Sequence, residues 1–134
     1  MAVDIVQDRV TGVIHESCRD RHEDERRLLT SIFNGDFTAQ QVKILEVKRD
    51  SVLGEHYHLY QEMFYLWRGR TVTVELQDIE SKRSTTLILA VGERLVIPPK
   101  VAHTFHVTAD VVLIACTDQK YTGHDHPYYP EWLP

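Results

Sequence analysis

Short apolar runs separated by polar breaks make up most of the chain from residue 41 onward. The runs are rich in β-branched and aromatic residues, and glycine, proline or aspartate stands between them, which is typical of β-strands. The predicted strands are Val42–Val47, Glu62–Trp67, Thr71–Leu76, Thr85–Val91, Arg94–Ile97, His103–Thr108 and Val111–Cys116. Such closely spaced strands, with no convincing helix between them, predict an all-β sandwich, barrel or jelly roll. Gly69 lies between two of the runs and predicts a β-hairpin there.

The first 40 residues lack this pattern. Nine of the twelve residues from 16 to 27 are charged, which predicts a solvated, irregular arm and not a helix. The tail from Tyr121 to Pro134 is rich in tyrosine and proline, and we expect an extended segment laid over the barrel or over a partner subunit. The expected organisation is an N-terminal arm with edge strands at 1–40, a barrel core at 41–118 and an extended tail at 119–134.

Composition narrows the class of protein. The 134 residues fit one domain, and the net charge of −5 argues against a nucleic-acid partner, which calls for a basic surface. No apolar run approaches the ~20 residues that span a membrane, and the first residues lack the pattern of a signal peptide. Cys18 and Cys116 form no CxxC pattern. We therefore expect a reduced, cytoplasmic protein with no membrane association.

Eight histidines are the unusual part of the composition, and three of them carry the candidate chemistry. On a strand, His56 and His58 would point to the same face, and Glu62 follows after a short corner. A later block ending in His103 brings a third imidazole. Three imidazoles and a carboxylate suit Fe, Mn, Zn, Ni or Cu with one or two open positions. The same imidazoles also suit acid/base catalysis near neutral pH, with no metal.

The remaining histidines and cysteines carry no such pattern. His106 lies three residues after His103 and is expected to face outward from the same strand. His15 and His22 lie in the charged arm, and His124 and His126 lie in the tail with no carboxylate at ligand spacing. Cys116 ends an apolar run and is expected to be a buried, small hydrophobic residue.

The spacing of the site residues resembles the two motifs of the cupin superfamily. The first motif, HxH-(three)-E-(six)-G, is matched by His56, His58, Glu62 and Gly69. The second, G-(five)-P-x-G-(two)-H-(three)-N, is matched by Gly92, Pro98 and His103. Three positions depart from the motifs, and none of them is a ligand position: Asp50 and Lys100 in place of glycine, and Val107 in place of asparagine. The resemblance implies a single-domain cupin jelly roll, a double-stranded β-helix barrel.

A narrower resemblance, to the dTDP-4-dehydrorhamnose 3,5-epimerase-like cupins, covers about 100 residues. It lies in four segments in the family's order: Asp24–Arg27, Gly54–His58, Ile97–Phe105 and Cys116–Tyr121. It implies that His56 is the catalytic base, Tyr121 its acid partner and Arg26 a contact to the nucleotide-sugar, with His103 beside the 4-keto oxygen. Arg27 and Lys100 stand where the epimerases have glycine.

The implied reaction is acid/base chemistry next to the keto group of a nucleotide-linked 4-keto-6-deoxysugar, with no cofactor required. His58 stands where the epimerases usually carry glutamine, and it fits the related dTDP-sugar 3,4-ketoisomerases better. We expect His58, Tyr60 and Phe64 to line the barrel mouth and bind the sugar. The substrate is then a small molecule, and the enzyme is an isomerase.

Two alternatives use the same residues. A divalent metal on His56, His58, Glu62 and His103 would support a dioxygenase or a metal-dependent isomerase. A non-catalytic cupin would bind a ligand without turnover. In either case the run from Glu62 to Trp67 is apolar on both faces, and a second subunit is the simplest cover for the outer face, so we expect a homodimer.

Overall fold

The computed structural model describes residues 3–6 and 10–120, and these form twelve β-strands and no helix. No membrane-spanning helix is therefore found among them. The strands are β1 (Val3–Val6), β2 (Ile14–Ser17), β3 (Arg21–Glu23), β4 (Leu28–Thr30), β5 (Gln41–Glu46), β6 (Ser51–His56), β7 (Glu62–Arg68), β8 (Val72–Asp78), β9 (Ser84–Leu89), β10 (Glu93–Ile97), β11 (Val101–Val107) and β12 (Val112–Thr117).

Two five-stranded antiparallel sheets make up the barrel. The first has the order β1-β9-β8-β11-β6, and the second has the order β2-β10-β7-β12-β5. β3 and β4 form a separate two-stranded hairpin. Most neighbours within each sheet are distant in sequence, which is the strand order of a jelly roll. The predicted all-β class is confirmed.

The core lies between the two sheets. Along β8 and β9 the side chains alternate between fully buried and partly buried, as the two-residue period of a strand requires. The fully buried leucines of the core are Leu66, Leu76, Leu87, Leu89, Leu95 and Leu113. Burial of each such side chain contributes about 1.5–3 kcal/mol relative to exposure. These apolar side chains form the main cluster of the core.

The hairpin predicted around Gly69 is wrong. β7 pairs with β10 and β12 in the second sheet, whereas β8 pairs with β9 and β11 in the first, so the chain crosses between sheets here. Gly69 has φ +107°, and a Cβ at this position would lie 2.7 Å from the Cα of Val111. Alternating hydrophobicity identifies strands but not their partners, and this explains the error. A true hairpin follows, between β8 and β9, where the amide of Lys82 donates to the carbonyl of Asp78.

The irregular arm predicted at residues 16–27 is partly strand, and edge strands were expected within residues 1–40. β2 pairs with β10, and Arg21–Glu23 pairs with Leu28–Thr30. β1 and β2 each lie at the edge of a sheet. Most side chains of β2 and β3 are exposed, so their charges reach water while the backbone pairs with a neighbour. A strand that is held only by backbone pairing with its neighbour shows no alternation of apolar and polar residues, so the local sequence pattern did not indicate it. The predicted boundaries at residues 40 and 118 stay predictions.

The outer face of β7 is covered in part by the same chain. Met63 is fully buried against Phe37, Val96 and Cys116, with Ile32 and its neighbours packed around them. A second subunit is therefore not needed to cover Met63. Trp67, at the other end of the strand, remains 49% exposed.

Candidate active site

Three histidines meet at one end of the barrel. His56 ends β6, His58 follows it by two residues, and His103 lies in β11. The ring centroid of His56 is 4.6 Å from that of His58 and 4.8 Å from that of His103. One ring nitrogen from each histidine lies within 4.8 Å of the others. The structure thus brings together the three imidazoles that the sequence spacing singled out.

A β-bulge sets the position of His56. In the pairing of β6 with β11, Thr104 stands opposite Gly54 and His103 opposite His56, so Glu55 is the extra residue. Gly54 has φ +98° and Glu55 has φ +63°. A Cβ on Gly54 would lie 2.5 Å from the carbonyl oxygen of His103. Only glycine lets the two strands approach this closely, and the bulge then places the two imidazoles side by side.

His58 reaches the site from a loop and not from the strand. The prediction that strand alternation aligns His56 with His58 is wrong, since β6 ends at His56. The carbonyl of His58 accepts a hydrogen bond of 2.8 Å from the amide of Lys100, which fixes the loop to the turn before β11. Lys100 has φ +64°, the left-handed conformation that favours glycine, and it occupies a motif position that is usually glycine. The backbone shape is kept although the residue differs.

Glu62 joins two of the imidazoles. Its Oε1 lies 3.2 Å from Nε2 of His58 and 3.7 Å from Nε2 of His103, and its side chain is only 5% exposed. Burial raises the pKa of this carboxyl, but the contact with His58 and the charge of His103 outweigh burial and hold the pKa below its ordinary value. Glu62 is therefore an anion that supports positive charge on the neighbouring rings.

Aromatic rings pack against His58 and His103. The ring of Tyr60 stacks on His58 with a centroid distance of 4.6 Å and an interplanar angle of 16°. Phe105 lies edge-on to His103 at 5.6 Å and packs against Phe64 at 4.6 Å. Tyr60 is buried and is not among the residues that line the cavity, so it supports His58 from within the protein. Phe64 does line the cavity, where the sequence analysis expected it.

A cavity of about 130 Å³ opens in front of these groups. Apolar side chains from both sheets form most of its wall, and the polar groups converge at one place. Its lining consists of Lys43, Leu45, Leu53, Gly54, His56, His58, Glu62, Phe64, His103, Phe105 and Leu113. Sequence analysis missed Lys43, because it lies in a run that predicts an ordinary strand with its charge in water. Apolar walls around a few convergent polar groups are typical of a small-molecule site.

Arg26 is not brought into this cavity. It lies in the turn between β3 and β4, where its side chain is 75% exposed and its guanidinium donates to Asp24 at 3.2 Å. Its role in substrate binding stays a prediction, for which this chain's own cavity offers no contact. Tyr121, the predicted acid partner of His56, lies outside the described residues, as do His124 and His126.

A second buried histidine–carboxylate pair was missed by the sequence analysis. Nε2 of His15 lies 2.9 Å from Oε1 of Glu93, and both side chains are almost fully buried, away from the cavity. The pair links β2 to β10. His106, in contrast, is exposed as predicted and contacts Glu75 at 3.1 Å on the surface. Cys116 is buried as predicted, and burial raises the pKa of its thiol.

The donor set of three imidazoles and a carboxylate suits a small divalent cation. The three imidazoles form a group of mutually close ligand atoms among the described residues. Glu62, the fourth predicted ligand, contacts His58 and His103, and its role as a ligand stays a prediction. A carboxylate holds a neighbouring imidazole in position both for proton transfer and for metal binding. The arrangement therefore suits acid/base catalysis as well as a metal.

Comparisons with known structures identify the fold. No protein-family model matches the sequence, and a search of curated proteins finds no significant match. Among solved structures, a dTDP sugar isomerase from Desulfovibrio desulfuricans G20 has a TM-score of 0.77 at 23% identity, over 93% of this chain and 88% of that one.

Two further solved structures extend the likeness. The 3,4-ketoisomerase QdtA from Thermoanaerobacterium thermosaccharolyticum, as a histidine mutant in complex with TDP-4-keto-6-deoxyglucose, has a TM-score of 0.75 at 19% identity, over 92% and 95% of the two chains. RmlC from Streptococcus suis, in complex with dTDP-D-xylose, has a TM-score of 0.70 at 14% identity, over 85% and 68%. The chain therefore has the barrel fold of these three structures, and the cupin jelly roll that the sequence resemblance implied is confirmed.

Proposed function

We propose that the protein is an isomerase that shifts the keto group of a nucleotide-linked 4-keto-6-deoxysugar by acid/base chemistry. The observation that carries this proposal is the cluster of three imidazoles around one buried carboxylate at the end of an apolar cavity. The fold likeness to 3,4-ketoisomerases supports the substrate class. The non-catalytic alternative is less favoured, because a simple binding site does not need adjacent groups that exchange protons.

His56 is the base in this proposal. It removes the proton from the carbon next to the carbonyl, and the electron pair of the broken C–H bond forms a C=C bond. The carbonyl π pair moves to oxygen, which becomes anionic. The neighbouring hydroxyl gives its proton to that oxygen. A lone pair of the deprotonated oxygen then forms the new C=O bond, and the C=C pair takes a proton from the imidazolium at the former carbonyl carbon. The keto group has then moved by one position, with no net gain or loss of atoms or electrons.

The neighbouring groups stabilise the charges of this path. His103 is placed beside the keto oxygen, where an N–H donor stabilises developing negative charge. Glu62, buried between His58 and His103, stabilises the positive charge of a ring that has taken up a proton. The apolar wall keeps water away from the reacting carbon and strengthens each of these interactions.

A keto shift is favoured over epimerisation by the likeness to solved 3,4-ketoisomerases. The described acid/base groups converge on one place in the cavity, so a proton removed and returned there reaches a single face of the sugar. Epimerisation requires a proton donor on the opposite face, the role that the resemblance gives to Tyr121. The cavity of about 130 Å³ is well below the ~300 Å³ or more of ordinary ligand pockets. It holds the reacting sugar ring, and the nucleotide lies outside its mouth.

The proposal includes a homodimer in the cytoplasm. Apolar side chains remain exposed on the outer face of the second sheet, among them Ile44, Trp67 and Val91. A second copy that packs on this face would bury them. Both cysteines are free and buried, which suits a reducing compartment. Size-exclusion chromatography with light scattering tests the dimer, and Ile44→Asp should shift the mass to that of a monomer.

A metal-dependent reaction is the second candidate, and the mutual proximity of the three ring nitrogens favours it. His56, His58 and His103 would hold Fe, Mn, Ni, Zn or Cu, and the bound ion would supply Lewis-acid chemistry at a substrate oxygen. Metal analysis of protein purified without added metal or chelator tests this candidate. Near one ion per chain in the wild type and near none in His103→Ala would support it, and an empty site after dialysis against these metals would exclude it.

The lead proposal is tested by NMR on purified protein with TDP-4-keto-6-deoxyglucose. We expect the carbonyl carbon signal to move from C4 to C3 as the reaction proceeds. A product that keeps its carbonyl at C4 but inverts a neighbouring centre would mean epimerisation. Substrate that binds and remains unchanged would contradict an enzymatic role and favour the binding module.

A further inference from the structure

Lys43 faces the cavity from the sheet opposite His56 and His103. In the register of the second sheet, Lys43 of β5 stands opposite Ala115 of β12, and Ala115 stands opposite Phe64 of β7. Directly paired residues project to the same face of a sheet. Both Phe64 and Lys43 line the cavity. Ala115 lies between them, and its small side chain leaves room for the aliphatic part of the lysine side chain.

Alternate residues of β5 face the cavity. Lys43 and Leu45 line it, whereas Val42 and Ile44 point away and are 62% and 69% exposed. Lys43 is itself exposed, so its side chain lies at the open mouth of the cavity and not deep within it. The strand therefore places a cation at this mouth, beside an apolar wall.

Lys43 is the one lysine or arginine in the described lining of the cavity. The imidazoles gain and lose protons in the proposed reaction, whereas Lys43 takes no part in proton transfer. The positive charge of Lys43 also acts on Glu62, whose pKa it helps to lower. The ammonium is thus within electrostatic reach of the groups that handle protons.

We propose that the ammonium of Lys43 stabilises the anionic oxygen that forms when His56 removes a proton next to the keto group. This inference rests on the proposed function and adds a catalytic residue to it. The carbonyl π pair that moves to oxygen creates a full negative charge, and a preplaced cation at the cavity mouth lowers the energy of that state more than that of the neutral ketone. Lys43 donates a hydrogen bond and keeps its own protons.

The alternative role of Lys43 is to bind the diphosphate of the substrate. That charge is the same in the ground state and in the transition state, so its loss raises KM and leaves kcat almost unchanged. Stabilisation of the anionic oxygen exists only during the reaction, so its loss lowers kcat. The split between kcat and KM therefore separates the two roles.

The experiment measures deuterium uptake from D₂O into TDP-4-keto-6-deoxyglucose by wild type, Lys43→Met, Lys43→Arg and the control Lys48→Met. Lys48 is an exposed lysine just after β5 and does not line the cavity. We expect kcat to fall about 10²–10³-fold in Lys43→Met with KM within about threefold. Lys43→Arg should recover part of the loss, because it restores the charge with a different geometry, and Lys48→Met should match wild type.

The outcomes distinguish this inference from the proposed function. An active wild type and a Lys43→Met variant with unchanged kcat, or with a change in KM alone, would overturn the role of Lys43 and leave the proposed function intact. A wild type that binds the sugar nucleotide and neither exchanges its proton nor moves its carbonyl would overturn both. Thermal unfolding of each variant checks that the fold is kept, and an unfolded Lys43→Met is replaced by Lys43→Gln.

Discussion

Nε2 of His58 lies 3.2 Å from Oε1 of Glu62, and both side chains are buried. A similar pair occurs on the surface, where His106 and Glu75 are 3.1 Å apart and more than 40% exposed. The two pairs differ in burial, and burial determines how much each pair contributes. An exposed pair is screened by water and contributes little, whereas a buried carboxylate holds its imidazole in position and supports its charge.

Glu62→Gln tests the buried pair. The amide keeps the shape of the carboxylate but removes its charge, so the imidazolium formed during catalysis loses its anion. A hydrogen bond to a charged group is worth about 1.5–3 kcal/mol, which corresponds to a loss of about 10–100-fold in the rate of deuterium uptake. Glu75→Gln is the matched control and should leave the rate unchanged. Equal rates in the two variants would show that Glu62 has no part in the reaction.

Gly54→Ala tests the bulge that places His56. The added Cβ meets the carbonyl oxygen of His103 at 2.5 Å, and the φ of +98° is unfavourable for alanine. Gly35→Ala is the control, since it has a similar φ of +83° with no atom near the added Cβ. Both variants lose about 1–2 kcal/mol for the backbone conformation, and Gly54→Ala loses about 1–3 kcal/mol more. Urea unfolding measures the difference, and equal losses would mean that the strands separate without penalty.

Tyr60 is predicted to act through His58 and not on the substrate. Its ring stacks on the imidazole, so Tyr60→Phe keeps the support, whereas Tyr60→Leu removes it. We expect Tyr60→Phe to keep the exchange rate within about threefold and Tyr60→Leu to lose about tenfold in kcat, in line with the energy of an aromatic pair. A large rise in KM for Tyr60→Phe would instead indicate a direct hydrogen bond to the sugar, as the sequence analysis expected.

A pH effect on stability is expected from Asp36. The hydrogen bond from Arg94 holds the pKa of Asp36 at about 2, below its ordinary value of 3.8. A carboxyl with a lowered folded pKa contributes stability above its ordinary pKa and loses it as the pH falls through the folded pKa. Asp36→Asn should therefore be less stable than wild type at about pH 6, and the gap should narrow towards about pH 2.

Urea unfolding of both proteins across this range measures the gap. Glu16 shares the guanidinium of Arg94 with Asp36, so Glu16→Gln with and without Asp36→Asn separates the two contributions. A gap that stays constant down to about pH 2 would contradict the assigned pKa.

The four site residues show how much of the site could be predicted from the sequence. The spacing of His56, His58, Glu62 and His103 predicted that they lie together, and the structure brings them together. The reason given for His58 was wrong, since a bulge and a loop replace simple strand alternation. Backbone irregularities of this kind depend on contacts with a distant strand, here β11, and a local pattern does not contain them.

Lys43 and the His15–Glu93 pair show a second limit. Charged residues on a predicted strand or arm are expected to face water, and that expectation holds for most of β2 and β3. A charged side chain that points inward is recognised only when its strand's partners and register are known. Lys100 shows the converse, because the motif position predicted a glycine-like backbone and the lysine there adopts it, with φ +64°.

The measurement that tests the central claim most directly is solvent deuterium uptake into TDP-4-keto-6-deoxyglucose by wild type, His56→Ala and His106→Ala. His56 is the assigned base, and His106 lies on the same barrel but outside the cavity. We predict uptake at the carbon next to the keto group in wild type and His106→Ala, and none in a folded His56→Ala. Unchanged uptake in His56→Ala would contradict the account.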